Sequence, residues 1–236
     1  MSKIVNNIVT FIFARGGSKG LPQKNILDFN GQPLIAWAIK QALAVEQIEE
    51  VFVSTDNEQI AEIAEKYGAT IPFFRPSNLA QDDTPEWSAW QHAITSIMRI
   101  RNIQPDMFIS IPATSPLRKS EDIQACIDKY LATSADIVIT ATPAKRSPYF
   151  NMVKRLDSGA VELVNKLDKN IVRRQDCPEV FDIATVAYVA NPQFILNNKS
   201  IFDGVVLPVI IPPERAIDID SLQDFQIAQF LSLQKQ

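Results

Sequence analysis

The chain has 236 residues, a formal net charge of −4 and 46% hydrophobic residues, which is the size and composition of one globular domain with a full core. No apolar run approaches the roughly 18 residues of a membrane span, and the amino terminus lacks the apolar stretch of a signal peptide. We therefore expect a soluble, cytoplasmic protein with no membrane partner, and the acidic balance without a long basic tract argues against a nucleic-acid partner.

The cysteines and the histidine limit the metal chemistry that the chain can support. Cys126 and Cys177 lie far apart with no metal-ligand spacing around either, and His92 is the only histidine. This composition argues against a zinc site built from histidines and against a serine-histidine-aspartate triad. Any bound metal is expected to be a hard cation held by carboxylates.

The first predicted strand, over residues 8–13, leads into a loop over residues 14–25 that reads ARGGSKGLPQKN. Residues with β-branched or aromatic side chains fill the strand, which is typical of a strand buried on both faces in a parallel sheet. In open α/β sheets, ligands bind at the carboxyl ends of such strands. Gly16 and Gly17 allow backbone N–H groups to face a ligand without a Cβ atom in the way, so we interpret this segment as a ligand-binding loop.

The charge of this loop indicates which kind of ligand it binds. Arg15, Lys19 and Lys24 place three cations within ten residues, and the first acidic residue of the chain is Asp28. Cations and free N–H donors together predict a site for several negative charges, such as a polyphosphate. The loop matches neither the G-x-G-x-x-G fingerprint nor the P-loop, so its local pattern does not identify a nucleotide. A solvated basic turn is the alternative.

After this loop, helices and strands are predicted to alternate. They are, in chain order, a helix entered through residues 31–33, a strand over residues 51–55, a helix reaching residue 67, a strand over residues 69–74, a helix from residue 84 to about 101, a strand over residues 107–111, a helix, and a strand over residues 137–141. Asp56, with Gln59 three residues later, is predicted to cap the second helix, and a ligand role is the alternative. Ser120 is predicted to cap the fourth helix. Arg75 follows the third strand and is therefore expected at the same edge of the sheet as the first loop.

The alternation stops after residue 141, and residues 142–182 form a predicted insertion within a single domain that spans residues 1–236. Residues 149–164 are typical of a β-hairpin with a glycine-containing turn at residues 157–159. A lone hairpin cannot bury both of its faces, so we expect it to pack against a second subunit in a homodimer. Two further apolar runs, over residues 183–190 and 205–211, complete the strands.

Two carboxylates precede the last predicted helix. Asp218 and Asp220 are two residues apart, which places them on one face of an extended segment, and Ser221 with Asp224 forms a capping box for the helix. Like charges on one face repel unless a cation or an arginine lies between them. The alternative is that one carboxylate caps the helix and the other is solvated.

Six motifs carry a resemblance to a known family. They are ARGGSKGLPQKN at residues 14–25, VSTD at 53–56, FRPSNLAQDDT at 74–84, TSPLR at 114–118, RRQ at 173–175 and DIDS at 218–221. In this order, across nearly the whole chain, they resemble the acylneuraminate cytidylyltransferases, the CMP-sialic acid synthetases. The resemblance implies an α/β nucleotidyltransferase with a Rossmann-like three-layer fold, a mostly parallel sheet and a homodimer whose insertion reaches over the partner's active site. It also implies that CTP is joined to a nine-carbon 2-keto sugar acid in the presence of Mg²⁺, with release of pyrophosphate.

The resemblance also implies roles for individual residues. At the nucleotide it implies Ala14, Arg15, Gly16, Gly17, Ser18, Lys19, Lys24, Asn25 and Arg75, with Lys24 at the α-phosphate. At the metal it implies Asp218 and Asp220, and at the sugar acid Thr114, Ser115, Arg118, Arg174 and Gln175. Of these residues, Arg15, Lys24 and Asp218 are predicted to be catalytic, because cations and metal dominate a site for phosphoryl transfer.

The chain departs from the family pattern at the sugar. Pro112-Ala113 stands where sialic acid members usually carry Gln-Pro, and Ala184-Thr185 stands where an Asn-Gly pair is common. The loss of amide donors changes which sugar substituents find hydrogen-bond partners. We therefore expect a relative of sialic acid, such as legionaminic acid, as substrate. The alternatives are a CMP-Kdo synthetase and a non-catalytic nucleotide-binding regulatory protein.

Overall fold

The computed structural model describes residues 3, 5–168 and 172–234, and the following elements lie within them. The strands are Ile8–Phe13 (β1), Asp28–Phe29 (β2), Gln32–Pro33 (β3), Val51–Ser54 (β4), Met107–Ser110 (β5), Ile137–Pro143 (β6), Val153–Arg155 (β7), Val161–Leu163 (β8), Phe181–Ala190 (β9) and Val206–Ile210 (β10). The α-helices are Leu34–Leu43 (α1), Glu58–Lys66 (α2), Glu86–Arg101 (α3), Ser120–Ala132 (α4), Pro192–Asn197 (α5) and Leu222–Leu233 (α6).

A six-stranded sheet with the order β10-β6-β9-β5-β1-β4 forms the centre of the molecule. Five of its strands point the same way, and β9 runs antiparallel between β6 and β5. Because the parallel strands share a direction, their carboxyl ends meet at one edge of the sheet, where the loop over residues 14–25 begins. The predicted α/β fold with a mostly parallel sheet is confirmed.

Helices cover both faces of the sheet and bury its apolar side chains. On one face, Ile39 of α1, Ile60 of α2 and Ile127 of α4 pack with strand residues in one buried cluster. On the other face, Trp90 of α3 packs with Phe108 of β5 in a second cluster. Side chains of this size bury enough apolar surface on each face to hold the three layers together.

One predicted strand is not formed. Residues 69–74 make only isolated bridges to the neighbouring strand, at Thr70 and Phe74. Pro72 lies between these bridges and has no backbone N–H to donate, so a continuous ladder cannot form there. The segment still returns the chain to the sheet edge, because the N–H of Arg75 donates to the Thr55 carbonyl at 2.7 Å.

Two predicted helix caps are wrong by one residue. The cap of α2 is Asn57, whose side chain accepts from the N–H of Ile60 at 3.0 Å. The Asp56 carboxylate accepts instead from the N–H of Gly16. Ser120 is the first residue of α4 rather than its cap. The cap is Lys119, whose backbone N–H donates to the Asp122 carboxylate at 2.9 Å.

The long strand β9 carries a bulge at the edge where the site lies. Tyr188 pairs with Ile139 of β6, whereas Ala184 pairs with the adjacent Thr140, so the intervening residues of β9 have no partner in the ladder. The Thr140 hydroxyl fills the gap by donating to the Ala184 carbonyl at 2.6 Å. The bulge re-aims Thr185 toward the loops that follow the parallel strands.

The predicted hairpin is present outside the central sheet. Strands β7 and β8 pair antiparallel, and Gly159 in their turn has a φ of 84°, in the left-handed region that favours glycine. Residues 169–171 of the predicted insertion lie outside the described residues. The role of the hairpin in dimerisation stays a prediction. Among the described residues, no helix has both the length and the apolarity to cross a membrane.

The assignment of Asn57 as the cap of α2 can be tested by stability measurements. Asn57→Ala should lower the free energy of unfolding by about 1 kcal/mol, because an N–H of the first turn loses its acceptor. Urea denaturation followed by circular dichroism measures this change. Asn197→Ala is the matched control, since this exposed asparagine at the end of α5 caps no helix. Equal losses for the two variants would contradict the assignment.

Candidate active site

A cavity of about 550 Å³ opens at the carboxyl edge of the sheet. Its walls come from the loop after β1, the segment between Arg75 and α3, the loop after β5, the bulge of β9 and the segment before α6. The lining residues are Phe13, Arg15, Ser18, Lys19, Gly20, Leu21, Lys24, Asn25, Arg75, Leu79, Gln81, Asp82, Thr84, Pro85, Glu86, Ala89, Pro112, Ala113, Thr114, Thr185, Asp218 and Asp220. The cavity therefore brings together nine of the residues that the sequence singled out, namely Arg15, Ser18, Lys19, Lys24, Asn25, Arg75, Thr114, Asp218 and Asp220.

The loop after β1 is held in place by contacts at its two ends. Asp56 accepts a hydrogen bond from the N–H of Gly16 at 2.9 Å, and the N–H of Ala14 donates to the Ser54 carbonyl at 3.1 Å. The buried Asn25 side chain donates to the Arg15 carbonyl at 3.0 Å. Ala14, Gly16 and Asn25 thus shape the loop through contacts within the protein.

Other backbone groups of the loop are available to a ligand. In the part of the chain that the structure describes, the N–H groups of Gly17, Lys19 and Gly20 have no protein acceptor. Successive unpaired N–H groups at a strand end form a concave site that favours anions. Gly17 itself does not line the cavity, whereas Lys19 and Gly20 do.

Each cation of the loop is paired with a carboxylate. Arg15 forms an ion pair with Asp82 at 2.6 Å, and Lys19 pairs with the same carboxylate. Lys24 reaches Asp220 at 2.8 Å on the other side of the loop. The hydrogen bond from Lys19, with the nearby positive charge of Arg15, lowers the pKa of Asp82 below its usual value. The loop cations are therefore preorganised, and their partners are groups that an anionic ligand would replace.

The segment before α6 packs directly against the loop. A Cβ atom on Gly20 would lie 2.5 Å from the Asp220 carbonyl oxygen, so only glycine allows this approach. Ile219 is fully buried between the two aspartates, and its N–H donates to the Thr114 carbonyl at 2.9 Å. These contacts fix Asp218 and Asp220 at the cavity wall.

Neither of these aspartates caps the helix that follows. The cap of α6 is Ser221, whose hydroxyl accepts from the N–H of Asp224, as the capping box predicted. Asp218 Oδ1 is buried and has no hydrogen-bond partner among the described residues, and the Asp220 side chain is 75% exposed. An unpartnered buried carboxylate oxygen suits a hard cation. The described residues contain no cluster of three or more His, Cys, Asp or Glu side chains that could hold a metal, so phosphate or water oxygens would have to complete its coordination.

Arg75 is a buried arginine that lines the cavity. Its Nε donates to the Ser54 hydroxyl at 3.0 Å, and its Nη2 donates to the Ser54 carbonyl. Burial lowers the pKa of the guanidinium to about 10, against the opposing effect of Asp56 and Glu86. Its geometry is thus set by Ser54, and part of its donor capacity still faces the cavity.

Ser115 and Arg118 lie behind the cavity wall rather than on it. Arg118 is 2% exposed, and its guanidinium donates to the carbonyls of Ser115 and Pro112. Burial lowers the pKa of Arg118 to about 9. Ser115 donates to the Thr185 carbonyl at 2.9 Å, which ties the loop after β5 to the bulge of β9. In this chain the two side chains shape the wall formed by Pro112, Ala113 and Thr114 instead of entering the cavity.

Arg174 and Gln175 lie outside the main cavity. They line a separate depression with Ala144 and Cys177, and the Arg174 guanidinium donates to the Ala144 carbonyl. Their predicted contact with a sugar acid therefore does not form within the cavity of the same protomer. Their role at the sugar acid, in the site of a second subunit, stays a prediction.

Asp82 and Glu86 are the charged cavity residues that the sequence reasoning missed. Asp82 lies within the motif FRPSNLAQDDT, and the two adjacent aspartates of that motif are the sequence feature that could have pointed to a charged site residue. Local sequence does not show that the segment folds back onto the first loop. Glu86 looks in sequence like an ordinary acidic residue in the first turn of a helix. Its place in the cavity depends on where α3 begins relative to Arg75.

Known proteins resemble the chain in sequence and in fold. A family model described as "Cytidylyltransferase" matches residues 9–202. The chain is 35% identical over 231 residues to "Post-translational flagellin modification protein B" of Campylobacter coli, with 98% of this chain and 97% of that protein covered. It is 34% identical over 224 residues to CMP-N,N'-diacetyllegionaminic acid synthase of Campylobacter jejuni subsp. jejuni, with 95% and 94% covered.

A solved structure of CMP:2-keto-3-deoxy-manno-octonic acid synthetase complexed with CTP superposes with a TM-score of 0.74, covering 98% of this chain and 100% of that chain. At 15% identity, this likeness shows the fold alone. The family model and the sequence relatives span most of the chain, and they confirm the resemblance that the motifs predicted. The chain belongs to the cytidylyltransferase family.

Proposed function

We propose that this enzyme joins CTP to a nonulosonic acid, a sialic-acid-like 2-keto sugar acid, to give the CMP-sugar and pyrophosphate. The observation that carries the proposal is the cavity in which loop cations and unpaired N–H groups face Asp218 and Asp220. Relatives named CMP-N,N'-diacetyllegionaminic acid synthase and pseudaminic acid cytidylyltransferase support this substrate class.

The proposed reaction is an in-line displacement at the α-phosphorus of CTP. The anomeric hydroxyl of the sugar acid gives its proton to water as its oxygen forms a bond to that phosphorus, the bond to the bridging oxygen of the β-phosphate breaks, and pyrophosphate leaves with the bonding electrons. Lys24 is suited to the α-phosphate because its ammonium lies between the loop and Asp220. Arg15 and Lys19 are suited to the leaving phosphates, whose growing charge they neutralise.

Mg²⁺ is the proposed cofactor, with Asp218 and Asp220 as the protein residues that would hold it. When bound, the ion would polarise a phosphoryl oxygen and neutralise charge on the phosphates. Asp218 fits this role because one of its oxygens is buried and finds no hydrogen-bond donor in the part of the chain that the structure describes. Asp220 would have to give up its ion pair with Lys24, which would free the lysine for the nucleotide.

The charges of the cavity explain why a metal suits this site. Its lining has four cations, Arg15, Lys19, Lys24 and Arg75, and four carboxylates, Asp82, Glu86, Asp218 and Asp220. The formal sum is zero, although the nucleotide and the sugar acid are both anions. Binding therefore requires either that carboxylates move away from the cations or that cations enter with the substrate.

The sugar end of the cavity favours a relative of sialic acid over N-acetylneuraminate. Pro112 and Ala113 line the wall with apolar atoms, and Thr185 offers one hydroxyl in place of an amide. A site without amide donors leaves the polar groups of some substituents unpaired and so discriminates against them. We propose a legionaminic-type acid as substrate.

A homodimer is part of the proposal. The hairpin exposes apolar side chains that a monomer leaves in water, with Val153 at 56%, Val161 at 61% and Leu156 at 40% exposure. A second subunit would cover them, as the sequence predicted. A cytoplasmic location also stays a prediction.

A panel of sugar acids tests the proposed reaction. With CTP and Mg²⁺, pyrophosphate release should be fastest with N,N'-diacetyllegionaminate or a related deoxy diamino acid, and at least about 10-fold slower with N-acetylneuraminate, as expected when buried polar groups stay unpaired. Faster turnover of N-acetylneuraminate would contradict the sugar assignment, and turnover of Kdo alone would favour the eight-carbon alternative. No pyrophosphate with any acid would indicate a regulatory nucleotide-binding protein.

Removal of the buried carboxylate tests the metal assignment. Asp218→Ala should lower kcat by about 100-fold or more, because the charge that holds the metal at the phosphates is lost. Circular dichroism should show an unchanged fold. Asp128→Ala, an exposed change on α4, is the control and should keep full activity. Near-normal activity of Asp218→Ala would mean that the carboxylate has no part in the reaction.

Removal of the carboxylate that pairs with two loop cations tests the charge balance. Asp82→Asn should tighten the binding of metal-free CTP by about 2- to 5-fold at low salt. The phosphates then no longer compete with the partly exposed Asp82 carboxylate for Arg15 and Lys19. Titration calorimetry measures this affinity. Asp83→Asn removes a neighbouring exposed charge that has no such partners and should change it less. Weaker binding by Asp82→Asn would show instead that Asp82 helps to hold the nucleotide.

A further inference from the structure

Arg118 is a buried cation that forms no ion pair within the described part of the chain. Its Nε and Nη2 donate to the carbonyls of Ser115 and Pro112, and its Nη1 is buried without a hydrogen-bond partner among the residues that the structure describes. Carbonyl oxygens satisfy donors but do not balance a full charge, and an unbalanced charge inside a protein is costly. The guanidinium therefore needs a negative charge close by.

Asp218 is the carboxylate that meets this need. Among the described residues it too forms no ion pair, and its buried Oδ1 has no hydrogen-bond donor. Burial lowers the pKa of Arg118 to about 9, and the negative charges of Asp218 and, to a smaller extent, Asp122 oppose this effect. Asp122 is balanced elsewhere, because its carboxylate pairs with Arg215 at 3.2 Å and accepts from the N–H of Lys119. Asp218 is thus the carboxylate near Arg118 that still needs a counter-charge.

Backbone contacts fix the two side chains relative to each other. The N–H of Ile219 donates to the Thr114 carbonyl at 2.9 Å, which joins the segment before α6 to the loop after β5. Gln41 of α1 secures the same loop by donating to the Arg118 carbonyl at 2.9 Å. Asp218 lines the cavity, whereas Arg118 does not. The arginine is therefore held behind the wall from which the carboxylate faces the cavity.

We propose that Arg118 is a positioning residue, whose buried positive charge holds the Asp218 carboxylate at the cavity wall for the metal ion. The inference rests on the proposed function and adds to it a residue that touches neither the substrates nor the metal. A cation that is close but not in contact attracts the carboxylate through the protein interior and leaves its oxygens free for a ligand. Asp220, by contrast, must give up its direct ion pair with Lys24 before it can bind a metal.

A double-mutant cycle measures the coupling of the two charges without substrate or metal. Asp218→Asn should lower the urea midpoint of unfolding more in the wild-type background than in the Arg118→Met background, because only the former is left with a buried charge that has lost its counterpart. Arg118→Gln keeps an N–H donor for the loop carbonyls and replaces Arg118→Met in the cycle if that variant does not fold. Additive effects would overturn the proposal.

Asp122→Asn provides the matched cycle, since Asp122 is also an acidic residue near Arg118 but has Arg215 as its ion-pair partner. Its coupling to Arg118 should be clearly smaller than that of Asp218. A larger coupling of Arg118 to Asp122 than to Asp218 would assign the arginine to the framework of α4 and would also overturn the proposal.

Metal affinity connects the charge pair to the site. Mn²⁺ is the probe, and electron paramagnetic resonance counts the bound ion in enzyme that carries CTP but no sugar acid. Removal of the charge in Arg118→Met should weaken Mn²⁺ binding by about 10-fold or more, as is usual when a residue that orients a metal ligand is lost. Arg118→Lys keeps the charge and should restore most of the affinity.

Two results of the Mn²⁺ measurement would contradict the proposal. Unchanged or tighter binding by Arg118→Met would show that the arginine acts on the metal at most as a repelling charge. Equal losses in Arg118→Lys and Arg118→Met would show that the hydrogen bonds to the loop carbonyls, and not the charge, are what the site requires.

Failure of the proposed function can be told apart from failure of this inference. The cycle on stability and the Mn²⁺ measurement need no sugar acid. If no acid yields pyrophosphate but Arg118 and Asp218 are coupled and Mn²⁺ binding depends on the arginine, the proposed reaction fails and the positioning role stands. If pyrophosphate is released but the effects of the two substitutions are additive, the reaction stands and the positioning role fails.

Discussion

The close approach between the loop after β1 and the segment before α6 is the contact on which the site depends. Gly20 and Asp220 are far apart in sequence, and their backbones meet at a distance that allows no Cβ atom. Ile219, buried next to Phe29 and Phe225, anchors the segment in an apolar cluster. Lys24 then reaches the Ile219 carbonyl at 3.0 Å and the neighbouring carboxylate. Hydrophobic burial, rather than the ion pair itself, therefore holds the opposite charges of the site together.

The outline of the fold and of the phosphate-binding loop could be predicted from the sequence because they depend on local patterns. Apolar runs bounded by glycine and proline predicted the strands of the sheet and the hairpin, and clustered cations predicted an anion site. The exceptions have physical reasons. Pro72 interrupts a segment with strand composition, and Asn57 competes successfully with Asp56 for the cap of α2. Asp56 is instead used to hold Gly16 of the loop.

Long-range contacts explain what the sequence could not predict. The antiparallel β9 between parallel neighbours follows from pairing partners that no single segment encodes. Arg118 looked like a ligand, but its Nε and Nη2 donate to carbonyls of its own loop, and its Nη1 is buried without a partner among the described residues. Asp82 and Glu86 reach the cavity only because the segment after Arg75 folds back over the first loop. A charged residue next to a binding motif can thus support the backbone or face the ligand, and only its hydrogen-bond partners distinguish the two.

The strand β9, with its bulge, connects the insertion to the cavity wall. Thr185 belongs to the cavity wall, and the strand that carries it begins at Phe181, where the insertion ends. One continuous strand thus runs from the insertion, which carries the exposed hairpin, to the part of the cavity proposed to hold the sugar. The loop after β1, which carries the three cations and is proposed to hold the phosphates, lies on another wall of the cavity. Under the proposed function, substitutions in the insertion and its strand change the choice of sugar while the loop with the three cations stays intact.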